Sequence, residues 1–281
     1  IKANDDTFTI QSNIAEEIFR TEEIKTALEI AIGRERIAAM INQTIFTAGK
    51  ETMAYTFDGI LFSLDKDGLE LVGTDGKRIA IASEKNKDLP ACGAQAGESR
   101  EQTRSLVPIS TLRTLLNVIN ISEDEKFSIH ISNNHIVFRD SCTELISRLL
   151  EGKFPEYRNY IPKDYQITSV FKKDDLAAAI RRADIMTSQE THLIKFFFDK
   201  EKMNLLMTSR CLDRGTSEVT VPMEKYEGNE ITVGFNGRHI LDVIRVLRKE
   251  KVEWKIMEDQ GAGEIAEGDN FQYVFMPVKL R

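Results

Sequence analysis

Two kinds of apolar pattern occur along this chain, one with the period of a helix and one with the period of a strand. Around residues 37–47, 107–119, 176–187 and 236–251 the apolar positions follow a period close to 3.6 residues, which predicts four amphipathic helices. In residues 126–140 apolar and polar residues alternate one by one, which is typical of antiparallel strands with one solvent-facing side. The pattern therefore predicts an α+β fold.

The order of these predicted elements repeats within the chain. The segment DKDGLELVGT (65–74) resembles DKEKMNLLMT (199–208), and each lies between two helical patterns that are followed by strands. An internal repeat of this kind, in a chain of 281 residues, predicts two related α+β domains with a seam near residues 160–170.

Composition excludes several classes of protein. No apolar run approaches the roughly 20 residues that cross a bilayer, and the N-terminus has no signal-peptide pattern, so we expect a cytoplasmic protein. The three cysteines and four histidines make no recognised zinc-ligand spacing, and we expect neither a metal nor a cofactor. The chain does not begin with Met, which leaves open whether it is a processed chain or a fragment.

Positive charge is concentrated in the predicted helices. Residues 33–50, 107–119, 171–186 and 236–251 together carry a net +7, although the whole chain carries a net −7, so the remainder carries −14. One explanation is that Lys and Arg favour helices and collect on their solvated faces. The other is that the helices form a surface that faces a polyanion, and the pattern fits both equally well. Charge alone leaves both interpretations open.

The segment VGTDGKRIAIAS (72–83) places a polar stretch between two apolar runs. Asp75-Gly76 favours a tight hairpin turn, since both residue types tolerate positive φ. A phosphate-binding loop needs glycines at fixed spacing before a helix, and only Gly73 and Gly76 are present. The acids near Asp75 do not follow the spacing of a metal-binding loop. The hairpin is the interpretation that fits the local residues.

Four segments resemble motifs of the bacterial DNA polymerase III β subunit family, the replicative sliding clamps. They are LVGTDGKRIAIAS (71–83), EGKFPEYRNYIP (151–162), EITVGFNGRHILDVI (230–244) and YVFMPVKLR (273–281). The resemblance implies the DNA-clamp fold, in which repeated domains have antiparallel sheets on the outside and two helices each on a DNA-facing surface. It also implies domain bounds: 1–24 as the end of a truncated first domain with its linker, 25–163 as the second domain and 164–281 as the third.

Carried over position by position, the resemblance implies three groups of site residues. The peptide-binding pocket comprises Phe57, Thr74, Gly76, Lys77, Arg78, Ile79, Pro155, Tyr160, Val274, Phe275, Met276, Pro277, Val278 and Leu280. The DNA-binding residues are Lys50, Tyr55 and Thr56, to which the charge count adds Arg34, Arg182, Arg245 and Arg248. The dimer contact comprises Phe8, Ile10, Ile185 and Met186.

The function that the resemblance implies is that of a non-catalytic processivity clamp. Such a clamp encircles duplex DNA without sequence preference and tethers the replicative polymerase, the clamp loader and other partners, as a homodimer when the first domain is complete. Asn159, Lys279 and Arg281 depart from the family pattern, so the preferred partner motifs stay open.

Two other functions are compatible with parts of the sequence. A nuclease or phosphotransferase would use Asp65, Glu70 and Asp75, although no catalytic constellation appears at the required spacing. A peptide-binding adaptor would keep the pocket and lose the ring.

Overall fold

In the computed structural model of this protein, the described residues are 2–3, 6–7, 9, 28–48, 58–64, 68–85, 91–92, 103–258 and 261–280. Several predicted site residues lie outside these ranges. They are Phe8, Ile10, Lys50, Tyr55, Thr56 and Phe57, and Asp65 of the enzyme hypothesis lies outside as well.

Two short strands, β1 (Lys2–Ala3) and β2 (Asp6–Thr7), pair with each other ahead of the main fold. A first repeat then follows. Its elements are β3 (Leu28–Gly33), α1 (Arg34–Thr44), β4 (Gly59–Leu64), β5 (Gly68–Thr74), β6 (Arg78–Lys85), β7 (Ala91–Cys92), β8 (Thr103–Pro108), α2 (Ile109–Ile121), β9 (Lys126–Ile131), β10 (His135–Arg139) and β11 (Glu144–Arg148).

The second repeat has the same order of strands and helices. Its elements are β12 (Ile167–Lys172), α3 (Lys173–Asp184), β13 (Leu193–Asp199), β14 (Asn204–Cys211), β15 (Gly215–Pro222), β16 (Lys225–Glu227), β17 (Ile231–Asn236), α4 (Gly237–Val246), β18 (Lys251–Ile256), β19 (Gly263–Glu267) and β20 (Phe271–Phe275). Single 3-10 turns follow α1, at Ile45–Thr47, and precede β12, at Tyr157–Tyr160.

Each repeat folds into a five-stranded and a four-stranded antiparallel sheet with the same strand order. The five-stranded sheets run β11-β10-β9-β3-β7 and β20-β19-β18-β12-β16, and the four-stranded sheets run β6-β5-β4-β8 and β15-β14-β13-β17. The predicted α+β fold with antiparallel sheets is therefore confirmed.

The two repeats are joined through one continuous sheet. Strand β20 pairs antiparallel with β6, from Phe271 opposite Ala82 to Phe275 opposite Arg78, so the two sheets become nine strands in order β16-β12-β18-β19-β20-β6-β5-β4-β8. The helices also meet across this boundary, since α2 contacts α1, α1 contacts α4, and α4 contacts α3. The nine-stranded sheet and the row of four helices therefore both continue from the first repeat into the second.

The core of the second repeat is aromatic. The buried ring of Trp254 is surrounded by five phenylalanine rings whose centroids lie 5.3–6.3 Å from its own. They belong to Phe171, Phe196, Phe198, Phe235 and Phe275. Phe275 lies in β20, so the strand that joins the repeats is anchored in this core.

No helix among the described residues has both the length and the apolar character that crossing a bilayer requires.

Several predicted boundaries differ from the observed ones for identifiable reasons. The hairpin predicted at 126–140 is confirmed as β9 and β10. The last helix ends at Val246 rather than near 251, because Glu267 accepts hydrogen bonds from the amides of Arg248 (2.8 Å) and Lys249 (2.7 Å) and turns the chain into β18. Strands that no periodicity indicated lie at Ala91–Cys92 and Thr103–Pro108, where β7 pairs with β3 and β8 pairs with β4.

Candidate functional site

The turn between β5 and β6 is closed by its own side chains. The Asp75 Oδ1 atom accepts hydrogen bonds from the amides of Lys77 (2.9 Å) and Arg78 (3.1 Å). The Thr74 hydroxyl donates to the Arg78 carbonyl (2.7 Å) and accepts from the Gly76 amide (3.1 Å). Of the Asp75-Gly76 pair only Gly76 adopts a positive φ, of 82°. Asp75 therefore shapes this turn through its carboxylate rather than through its backbone.

Arg78 connects this turn to both repeats. Its side chain lies between the carboxylates of Asp75 (Nε to Oδ2, 2.9 Å) and Asp242 of α4 (Nη1 to Oδ2, 2.9 Å). Its Nη2 donates to the Phe46 carbonyl (3.0 Å), and its guanidinium carbon lies 5.6 Å from the centre of the Phe46 ring. The residue is only 8% exposed. This arginine thus bonds the hairpin tip to the end of the first helix and to the last helix.

The position of Phe46 follows from a close packing contact. A Cβ atom on Gly73 would lie 2.6 Å from the Thr44 carbonyl oxygen and 2.3 Å from the Thr47 hydroxyl. Only glycine lets β5 approach the 3-10 turn after α1 so closely. That approach brings the Phe46 carbonyl within reach of Arg78.

Burial and charge shift several pKa values around Arg78. Burial opposes the charge of Arg78, but Tyr273, Asp242 and Asp75 outweigh burial and raise its pKa. Burial raises the pKa of Tyr273, whose hydroxyl donates to the His239 carbonyl (3.0 Å). Burial and the positive charge of Arg78 lower the pKa of His239 to about 4. Near neutral pH the cluster therefore holds a charged arginine beside an uncharged imidazole.

Strand alternation places the predicted pocket residues on two faces of the nine-stranded sheet. Ile79 lies opposite Val274 and packs in a buried cluster with Phe154 and Tyr157. Their neighbours along the strands, Arg78 and Phe275, point to the other face. There Arg78 makes its ion pairs and Phe275 packs in the aromatic core.

The C-terminal tail begins at the hairpin and then leaves it. The Met276 amide donates to the Lys77 carbonyl (2.9 Å), which extends the β20–β6 pairing by one bond. The Val278 amide donates to the Gly234 carbonyl in β17 (2.8 Å), and a Cβ atom on Gly234 would lie 2.8 Å from a Leu280 methyl. Among the predicted pocket residues, Val278 and Leu280 thus lie on the four-stranded sheet of the second repeat.

The segment between the repeats is attached to the first repeat. The Tyr157 hydroxyl donates to Glu70 of β5, and burial together with this bond raises its pKa to about 12, so the phenol stays protonated. Next to Tyr157 lies half-buried Pro155, while Tyr160 is 59% exposed. Tyr157 therefore packs into the Ile79 cluster, and Tyr160 is exposed three residues further along the chain.

The predicted DNA-binding residues differ in their surroundings. Arg34 donates to the Ser122 carbonyl, so its guanidinium is engaged within the first repeat. Arg182, Arg245 and Arg248 are exposed, and Arg245 lies 3.4 Å from Asp242. Within the observed bounds, the four helices carry eight cationic and five acidic side chains, a net +3 rather than the predicted +7. The difference arises because several cations follow the helices instead of lying in them.

The predicted dimer residues lie beside an open sheet edge. Ile185, directly after α3, is 60% exposed, and Met186 is half-buried. Arg214, just before β15, donates to the Ile185 carbonyl (3.3 Å). Strand β15 pairs only with β14 among the described residues, so its outer edge is available.

Comparison with known proteins accounts for both repeats. Residues 31–156 match the family description "DNA polymerase III beta subunit, central domain", and residues 158–279 match its C-terminal domain. The chain belongs to the DNA polymerase III β subunit family.

Named relatives and solved structures agree with this family. The chain is 25% identical to the beta sliding clamp of Chlamydia trachomatis, covering all of this chain and 64% of the relative. It is 26% identical to the beta sliding clamp of Vibrio cholerae, covering 100% of this chain and 73% of that protein. The crystal structure of the DNA polymerase III β subunit from Pseudomonas aeruginosa superposes with a TM-score of 0.87 at 24% identity, over 99% of this chain and 74% of the other.

Sequence reasoning about this clamp-family chain missed three groups at the junction. Asp242 and His239 lie one turn apart on α4, within a motif used only for the resemblance. Their polarity on a helix with a buried apolar face was a usable signal. The Phe46 group is a backbone carbonyl, which no side-chain pattern reveals.

Two of the three acids of the enzyme hypothesis, Glu70 and Asp75, serve structural contacts in this clamp-family chain. Glu70 accepts from Tyr157 and pairs with Arg158 (3.1 Å), and both oxygens of Asp75 are used in the hairpin turn. Among the described residues no group of three His, Cys, Asp or Glu side chains is placed to hold a metal ion.

Replacing Arg78 by Met should destabilise the fold. The change removes the cation that Asp75 and Asp242 share and the donor that the Phe46 carbonyl accepts from. We expect the free energy of unfolding to fall by about 2–4 kcal/mol, measured by urea denaturation. Lys77→Met, at the exposed neighbouring position, is the control and should leave the midpoint unchanged. Equal midpoints for the two variants would contradict a structural role for Arg78.

Stability should depend on pH through His239. Its pKa is lowered to about 4 in the folded protein, whereas an unfolded histidine titrates near 6.5. Below pH 6.5 the unfolded state therefore binds the extra proton, and stability falls as the pH drops towards 4. Between pH 6.5 and 5 this loss is about 2 kcal/mol. Urea denaturation at both pH values should show a smaller loss in His239→Gln than in His135→Gln, which changes a remote histidine.

Proposed function

We propose that this chain acts in a sliding clamp that encircles duplex DNA and tethers the replicative polymerase, the clamp loader and other partners. The clamp works without catalysis of its own, in the cytoplasm, and closes as a homodimer when a complete first domain is present. The relatives reported above are named as sliding clamps, which supports this function and gives no support to an adaptor that has lost the ring.

The row of four helices carries the proposal. It runs α2–α1–α4–α3 across the junction without interruption, and the nine-stranded sheet crosses the same boundary. A helical surface that is continuous over two domains suits contact with a long, regular ligand. Duplex DNA is such a ligand, and helices backed by a stiff sheet hold a fixed shape around it.

The distribution of charge supports DNA as the ligand. The helices carry a net +3 and the rest of the chain therefore carries −10, so the helical surface is the less acidic one. Exposed arginines attract phosphates without reading bases. A protein that is acidic overall and makes few such contacts binds DNA weakly enough to slide along it.

Two unpaired sheet edges support ring closure. Strand β20 of the second repeat pairs with β6 of the first, and the shared topology makes β11 the counterpart of β20 and β15 the counterpart of β6. Within the described residues, β11 pairs only with β10 and β15 only with β14. A strand of the β11 type from another clamp domain therefore fits the β15 edge beside Ile185. Such head-to-tail contacts build rings when their rotation closes.

The apolar surface at the junction supports a peptide pocket. Ile79 and Val274 lie side by side on the outer face, Met276 extends their strand pairing by one bond, and Pro155 and exposed Tyr160 flank Tyr157, which packs against Ile79. Aliphatic, aromatic and thioether side chains with few polar groups suit a short apolar peptide segment. Arg78 and Phe275 support this surface from behind.

Removing two helix-side cations should weaken DNA binding without affecting the fold. In the Arg182→Gln/Arg248→Gln double variant, the slope of log affinity against log salt should fall by about 2, one for each lost phosphate contact. Fluorescence anisotropy with two duplexes of unrelated sequence measures this slope and should give equal affinities for both sequences. Arg210→Gln is the control: neighbouring Ser209 donates to α3, so Arg210 points to the opposite face of its sheet. An unchanged slope in the double variant would count against DNA binding by the helices.

Truncating Met276 should weaken peptide binding. A short peptide with one Gln and two or three large apolar residues should bind with micromolar or weaker affinity, because ordering the peptide offsets much of the burial. Met276→Ala should weaken this affinity about tenfold through lost apolar contact. Isothermal calorimetry gives the affinity, and Leu212→Ala, an exposed residue of the β14–β15 turn, should change nothing. Identical affinities for both variants would rule out Met276 as part of the pocket.

Assembly should depend on the β15 edge. Residues 1–281 should behave as a monomer or as a weak, concentration-dependent oligomer, and a stable dimer should form once a complete first clamp domain is attached. Ile185→Asp in the extended protein should return it to a monomer, because a buried unpaired charge opposes the contact. Sedimentation velocity distinguishes these states. A tight dimer of residues 1–281 would mean that the two repeats close a ring by another pairing.

A further inference from the structure

Asp242 is shared between the two surfaces proposed above. Its Oδ2 atom lies 2.9 Å from Arg78 Nη1, and its Oδ1 atom lies 3.4 Å from Arg245 Nη1. Arg78 holds the tip of the hairpin that borders the candidate pocket, whereas Arg245 is exposed on α4. One carboxylate therefore contacts a cation of each surface.

A second acid on the helical side offers a comparison. Asp184, at the end of α3, pairs with Arg238 of α4 at 3.4 Å, the same separation as between Asp242 and Arg245. Its other partners are His192 (3.0 Å) and the Thr187 hydroxyl (2.9 Å), which lie in the same repeat. Asp184 thus faces an exposed α4 arginine as Asp242 does, but its other contacts do not lead to the hairpin.

We propose that Asp242 is a positioning residue that couples polyanion binding at Arg245 to peptide binding beside the Arg78 hairpin. This proposal rests on the proposed function, since it requires both ligands. It predicts that each ligand strengthens the binding of the other.

The sign of the coupling follows from competition for one carboxylate. A phosphate group that binds Arg245 draws its guanidinium away from Asp242, so the carboxylate interacts with Arg78 alone. The stronger Arg78–Asp242 pair fixes the hairpin tip relative to α4. A peptide that binds beside an already ordered hairpin loses less free energy in ordering it. By reciprocity, a peptide that fixes the hairpin favours the state in which Arg245 is free for phosphate.

The coupling is small because Arg245 is 65% solvent-exposed in its side chain. Exposed ion pairs are screened by water and salt, so we expect about a two- to fivefold change in affinity at low salt.

The test measures peptide affinity with and without DNA. A capped, fluorescent peptide with one Gln and three Leu residues and no charge is titrated with the full chain, alone and with a saturating short duplex. We expect the wild-type protein to bind the peptide about two- to fivefold more tightly with the duplex present. The ratio should fall to one in Asp242→Asn and in Arg245→Gln, and it should persist in Asp184→Asn.

The possible results separate the coupling from the proposed function. If the wild-type chain binds both ligands with a ratio of one, or if Asp242→Asn keeps the wild-type ratio, the coupling is overturned and the proposed function stands. If the ratio is lost in Asp184→Asn as well, the effect does not pass through Asp242, which also overturns the coupling. If the wild-type chain binds neither duplex nor peptide, both proposals fall. Because a ratio is measured, a variant that only weakens the fold does not imitate the expected result.

Discussion

The register between β20 and β6 is the constraint on which the junction depends. With Phe275 opposite Arg78, Ile79 and Val274 face outwards together, and Arg78 faces the helices. Side chains alternate along a strand, so a slip of one residue would reverse both faces. Arg78 would then leave Asp242 of α4, and Ile79 would leave its apolar cluster. The candidate pocket and the helix row exist only in this one register.

Two kinds of interaction maintain that register. The aromatic core around Trp254 fixes β20 from the side of the second repeat, because Phe275 packs there. The ion pair of Arg78 with Asp242 acts across the boundary. A buried arginine between two carboxylates adds little stability compared with apolar packing of the same volume, since desolvation offsets the attraction. In any other register, however, the buried guanidinium of Arg78 would lose Asp242, so this ion pair discriminates against misalignment.

The sequence predicted those features that have a local pattern. Helix and strand periodicity and the internal repeat predicted the α+β class. The hairpin and the tail, which the family motifs assign to one pocket, are joined by the bond from the Met276 amide to the Lys77 carbonyl. The ion pair between Arg78 and Asp242 joins residues 164 positions apart, and no local sequence pattern predicts such a contact. The early end of α4 is also accompanied by a distant contact, because Glu267 of β19 accepts hydrogen bonds from the amides of Arg248 and Lys249, just beyond the helix.

The junction strand also constrains the order in which the protein acquires its structure. Strand β20 lies roughly 190 residues after its partner β6, so most of the second repeat must be synthesised before the pair forms. During translation the first repeat therefore exposes an apolar sheet with the edge of β6 open. An open edge of this kind is a template for pairing with other chains. The nascent chain is exposed to misassembly in that interval, which ends when β20 pairs with β6.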